Sequence, residues 1–193
     1  MTQTLPSLVV RGWTEPRGAI RDVIARRPDE AGRLVMVALH AVLSAISLAI
    51  LLNQMPNSEV ARVLTQVPPA VRYLLFGALM FGGYYIASFL LHRIGAGFGG
   101  SADADQSRTI VAWWLFVSSA ASAAVSLLAL VLPRGIVGIM ELVVTIGGVA
   151  IFAVYVAEIH GFQSVARVAG ATIGVLFMVL LVMNLLTLAV MPR

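Results

Sequence analysis

Apolar residues fall into five long runs separated by short polar segments. A helix needs about 20 mostly apolar residues to cross a hydrocarbon core of about 30 Å. Five segments qualify: Leu34–Asn53, Val71–His92, Thr109–Leu132, Gly135–Glu158 and Gly170–Met191. Only Pro133 and Arg134 separate the third run from the fourth, which predicts a tight helical hairpin. The apolar–polar alternation over about 10 residues that marks a transmembrane β-strand is not seen. The pattern predicts an all-α integral membrane protein, a five-transmembrane-helix bundle over residues 34–193.

Residues 1–33 are too polar for a signal peptide, which needs an apolar stretch near its start, so the first span is expected to insert uncleaved. Within "TEPRGAIRDVIARRPDE", Ile20, Val23 and Ile24 share one helical face, and Trp13 precedes Ile20 by seven residues. Thr14 can cap this helix, Pro16 suits its first turn and Pro28 stops it. Arg17, Arg21 and Arg26 occupy the flanks and, with Arg27 and Arg33, are placed to snorkel to lipid headgroups. The segment reads as a short amphipathic helix on the cytoplasmic membrane face. The competing reading is an arm packed on the protein's own cytoplasmic loops.

Composition agrees with a chain that faces lipid. Of 193 residues, 60% are hydrophobic and 11% charged, where soluble domains carry about 25% charge. The mean hydropathy is +0.95. With no cysteine, disulfides, thiolate metal sites and cysteine nucleophiles are excluded. All thirteen basic residues are arginine, which removes Schiff-base chemistry and a Walker lysine. A pI near 10.3 would suit nucleic acid, but these charges flank apolar spans, where anionic lipid headgroups are the expected partner. Nucleic acid is not.

The arginines also set an orientation. Arg11, Arg17, Arg21, Arg26, Arg27, Arg33, Arg93, Arg108 and Arg167 fall on one side of a five-span chain, against Arg62, Arg72, Arg134 and Arg193 on the other. The positive side faces the cytoplasm, which places the N-terminus inside and the C-terminus outside.

Candidate chemistry is sparse. The glycine-rich "RIGAGFGGSADADQSR" has neither the preceding strand nor the Lys-Ser or Lys-Thr of a phosphate cradle. Asp103 and Asp105 fall short of a calcium site, and a mobile connector is expected. Ser118, Ser122 and Ser126 recur every fourth residue in span three. Gly170 and Gly174 make a GxxxG in span five, and Gly82–Gly83 and Gly147–Gly148 are glycine pairs. Small residues let helices in lipid approach closely, within one bundle or between subunits. Glu141 is the one acid deep in a span, and Asn184 the other strongly polar deep residue. An intramembrane acid is a functional suspect, with a structural hydrogen-bonding role or ion coupling as its alternatives.

In "AEIHGFQSVAR", Glu158 and His160 are two residues apart and do not face each other on a helix. A site joining His40, His92 and His160 is conceivable. The favoured reading is a cytoplasmic turn shaped by Glu158, His160, Gly161 and Arg167, with Gly161 in the left-handed conformation that ends a helix. His160 is expected to be interfacial and solvated.

"AEIHGFQSVARV" before a last apolar run, "SRTIVAWW" after a glycine-rich loop and "P..AI..VI...P" before the first span resemble the bacterial branch of the Yip family, Ypt/Rab-interacting membrane proteins. The resemblance implies five spans with a cytoplasmic N-terminus, and GTPase binding and vesicle trafficking in eukaryotic members. Their acidic "DLYGP"-type element is not found here, so GTPase binding is not carried over. A lysine-free, alanine-rich chain suits a GC-rich bacterial gene and an inner-membrane location. The expected function is a non-catalytic scaffold or accessory subunit that binds membrane proteins, forms a homo-oligomer or organises lipid. No cofactor is expected. The alternative is a small ion-coupled permease built around Glu141.

Overall fold

A computed structural model describes residues 4–55 and 58–190, which fold into eight α-helices. Two short helices, α1 (Leu5–Thr14) and α2 (Pro16–Ala25), precede the long α3 (Glu30–Gln54). The short α4 (Glu59–Gln66) leads to α5 (Pro69–Gly97), α6 (Ala104–Leu128), α7 (Arg134–His160) and α8 (Val165–Val190). By length and composition α3, α5, α6 and α7 can each cross a membrane, and α8 adds a shorter apolar stretch, Val165–Met178. Met191, which closes the fifth apolar run, and Arg193 lie outside the described residues.

The centre of the bundle is α6, with α3, α5 and α7 packed around it. Its cytoplasm-proximal half by sequence expectation, "TIVAWWLFV", is apolar nearly all round, the pattern of a helix buried on every side. Ile110, Val111, Ala112 and Trp113 are accordingly buried. Tyr84 of α5 and Val37 of α3 pack with Val111 and Ala112, while Trp113 and Phe116 join Ile151, Tyr155 and Val156 of α7. The last helix, α8, packs against α7.

Local chemistry sets the boundaries. The Asp29 carboxylate caps α3 by accepting from the Gly32 N–H at 2.8 Å. Asp103 and Gln106 form a reciprocal capping box on α6, at 2.7 and 3.0 Å, satisfying orphan N–H groups. The third run ends earlier than expected, at Leu128 rather than Leu132, and α7 begins at Arg134. Pro133 disfavours helical backbone in the residue before it, so Ala129–Leu132 form a turn and the hairpin is looser than two residues. The helix α4 was not anticipated. Its signal was local: Ser58 accepts from the Ala61 N–H at 3.1 Å, and Ala61 is buried.

The N-terminal segment corrects the surface-helix expectation. It forms two helices broken at Glu15, which stands at the N-cap position where Thr14 was expected, with Pro16 in the first turn. Ala19, Ile20 and Val23 are buried against α6 and α7, not turned to lipid. Trp13 fits where Gly147 has no side chain, a β-carbon there standing 2.8 Å from its Cζ3. Its Nε1–H donates to the Val117 carbonyl at 3.3 Å, and the Tyr155 hydroxyl donates to the Gly12 carbonyl at 3.0 Å. Gly147 lies about 20 Å along α7 from His160 at about 1.5 Å per residue, so α1 reaches deep along the bundle. Arg11, in α1, donates to Asp22 at 2.7 Å and to Glu15 at 3.1 Å. The Asp22 hydrogen bond, then that of Glu15, pushes its pKa above the ordinary arginine value.

Candidate functional site

One end of the bundle carries a polar collar joining α2, α3, α5, α6 and α7. Glu30 is its hub, accepting from the Tyr85 hydroxyl at 3.0 Å, Arg33 at 3.0 Å and Arg108 at 3.3 Å. Arg33 also lies 3.4 Å from Asp105. It is 7% exposed, so it faces inward rather than to headgroups as its sequence position suggested. Glu158 pairs with Arg21 at 2.5 Å and with Arg17 at 3.8 Å, which fastens α2 to the end of α7. Arg26 and Arg27 are exposed. The sequence carries no sign of this hub, because Tyr85 and Arg108 reach Glu30 only through packing of distant helices.

Beside the collar sits His160, and here the expectation of a solvated ring fails. His160 is 2% exposed, stacked on Phe162 with ring centroids 5.3 Å apart. A β-carbon on either Gly95 or Gly100 would collide with the imidazole. Neither ring nitrogen has a hydrogen-bond partner among the described residues. The His160 carbonyl accepts from the Ser101 N–H at 3.2 Å. The glycine-rich connector is therefore an ordered clasp on the end of α7, and its aspartates are used structurally, Asp103 as a cap and Asp105 against Arg33. His40 lies apart, 3.4 Å from Ser44 within α3. Among the described residues no three His, Asp or Glu side chains converge on a possible metal position. Gly161, at φ +73°, ends α7 in the left-handed region.

At the opposite end Glu141 faces α6. Ser122 and Ser126 donate to its two carboxylate oxygens at 3.4 and 3.5 Å, long contacts for hydroxyl donors. They line a cavity of about 400 Å³ with Ser47 and Gln54. Gln54 donates to the Ala129 carbonyl at 2.7 Å, and its own carbonyl accepts from Arg134, closing that end. Ser118 stands against Gly148, so the serine stripe serves the α6–α7 contact. By contrast a β-carbon placed on Gly82, Gly83, Gly170 or Gly174 would meet nothing within 4 Å among the described residues. The GxxxG of α8 packs against no helix among the described residues. Asn184 is exposed.

Between α5 and α8 runs a lateral groove of about 1250 Å³, floored by Trp114 and Phe152. Its walls are mainly aliphatic, and Arg167, Gln163 and Ser164 stand at the collar end.

Long apolar helices around a buried α6, with polar side chains gathered at the ends, define a multi-pass integral membrane protein of the helix-bundle class. Comparison with curated proteins and with solved structures returned no match. The Yip1 domain family matches residues 11–189. The chain belongs to that family, and the match begins at Arg11, so it takes in most of the N-terminal helical pair.

Proposed function

We propose that this Yip1-family protein is a non-catalytic scaffold or accessory subunit that holds another membrane protein, or a second copy of itself, through bare glycine faces. The observation carrying this reading is that a β-carbon placed on Gly82, Gly170 or Gly174 would meet no neighbouring atom of the described residues within 4 Å. In lipid, where apolar side chains gain nothing by leaving the tails, close backbone approach is a main source of helix association. A glycine face with no helix against it suits a partner from outside the chain. The arginine distribution supports five spans, a cytoplasmic N-terminus and a C-terminus across the membrane. The composition supports a bacterial inner membrane. Exposed Arg26 and Arg27 suit anionic headgroups.

The test is Gly170→Leu with Gly174→Leu, followed by particle mass and co-purifying proteins in mild detergent. Loss of the assembly with an unchanged melting temperature is expected, because a β-carbon at either position has open space around it among the described residues. An unchanged assembly overturns the reading.

A second reading, an ion-coupled carrier, rests on Glu141 and the cavity it shares with Ser122 and Ser126. A single acid with two long hydroxyl contacts gives it weaker support.

A further inference from the structure

We infer that the groove between α5 and α8 binds one anionic phospholipid, its acyl chain along the apolar walls and its phosphate at Arg167. Three observations meet here. The walls bring Ile86 and Leu90 of α5 opposite Val175 and Leu176 of α8, over Trp114 and Phe152. Arg167 is the single charged residue lining the groove among those described. The collar carboxylates Glu30, Asp105 and Glu158 pair with Arg17, Arg21, Arg33 and Arg108, and none of the described carboxylates lies within ion-pair distance of Arg167. The guanidinium is thus exposed at the mouth of an apolar trough, beside the Gln163 amide and the Ser164 hydroxyl. Arginine suits phosphate oxygens through paired N–H donors.

Charge separates a lipid from a partner helix. The groove is lined by apolar side chains along α5, where it runs from Gly83 to Phe98, about 22 Å at about 1.5 Å per residue. Its single charged lining residue among those described, Arg167, stands at the collar end. One cation at the mouth of an apolar trough matches an anionic headgroup above an acyl chain.

The experiment uses the full chain in detergent and native mass spectrometry against mixed micelles. The probes are phosphatidylglycerol, phosphatidylcholine and inorganic phosphate alone. Retention of one phosphatidylglycerol in about tenfold preference to phosphatidylcholine is expected, equivalent to about 1.4 kcal/mol. Arg167→Gln should abolish the preference while leaving lipid retention, and Ala171→Trp, which fills the trough, should abolish retention of both. Unchanged preference in Arg167→Gln, unchanged retention in Ala171→Trp, or equal retention of both lipids by the native chain overturns the proposal. So does phosphate alone preventing phosphatidylglycerol retention at equal concentration, which would make the site one for free anions. A melting temperature within a few degrees of the native chain for both variants excludes misfolding as the cause. If Ala171→Trp misfolds, a photo-crosslinker at Ala87, compared with one at exposed Leu142, replaces it. Lipid adducts enriched at Ala87 support the site; protein adducts there, or no enrichment, overturn it.

Discussion

The backbone of Gly100 lies so close to the imidazole of His160 that a β-carbon there would overlap the ring at Nδ1. Gly95 approaches the same ring from the last turn of α5. The α5–α6 connector and the end of α7 therefore fit as two sides of one contact. Gly100→Ala should destabilise the fold by about 1–3 kcal/mol, the usual cost of overfilling a packed site, and lower the melting temperature in detergent. Adding His160→Ala to Gly100→Ala should recover part of that loss, a coupling that a double-mutant cycle reads directly. Additive losses would remove the contact from the account. His160→Gln should also be destabilising, since a longer polar group would enter a closed site.

The N-terminal pair of helices makes a separate prediction. Trp13 fills the space at Gly147, and Tyr155 donates to the Gly12 carbonyl. Trp13→Ala should cost about 3–5 kcal/mol if the site does not collapse, and Tyr155→Phe about 1 kcal/mol for one lost hydrogen bond. A surface helix held only by lipid predicts no change in melting temperature for either variant. Thermal unfolding in detergent separates the two.

The long helices were legible because lipid imposes one simple pattern, an apolar run of fixed minimum length. The αL glycine at 161 was legible for a similar reason, since a helix end followed by Gly-Phe carries its own local signal. The cradle around His160 was not. Nothing in "GAGFGGS" names its partner, and contact with a residue sixty positions later is set by the approach of α5 to α7. The inward turn of Arg33 was hidden for the same cause, because headgroup and carboxylate are equivalent partners until Glu30 and Asp105 are placed beside it. Trp13 misled in the opposite direction, since an aromatic near basic residues is typical of an interfacial helix. Only the bare backbone at Gly147 provides the slot that it fills.

Glu141 distinguishes a scaffold from a carrier. If its role is to accept from Ser122 and Ser126, Glu141→Gln keeps an acceptor and should change stability by about 1 kcal/mol or less. Glu141→Leu should lower the melting temperature further. Ion coupling requires a group that changes charge, so Glu141→Gln would then abolish solute-driven ion flux in proteoliposomes with stability unchanged. That outcome would overturn the scaffold reading in favour of the carrier.

The last prediction concerns Gly161, where α7 stops and the chain turns toward α8. Its φ of +73° is a region that a β-carbon penalises by about 1–2 kcal/mol, and a β-branched side chain more steeply. The conformation also sends the Phe162 N–H back to the Ala157 carbonyl at 2.9 Å and lays the Phe162 ring on His160. A changed turn would therefore disturb the clasp as well as the helix end. Gly161→Val should lower the melting temperature strongly, Gly161→Ala moderately, and Gly161→Asn least, because asparagine tolerates the left-handed region. A β-carbon at this position would approach nothing nearer than the Ser101 hydroxyl at 3.8 Å, so crowding cannot produce that order. If asparagine proves as damaging as valine, backbone conformation is not what Gly161 contributes, and the turn between α7 and α8 must be held by its side-chain contacts alone.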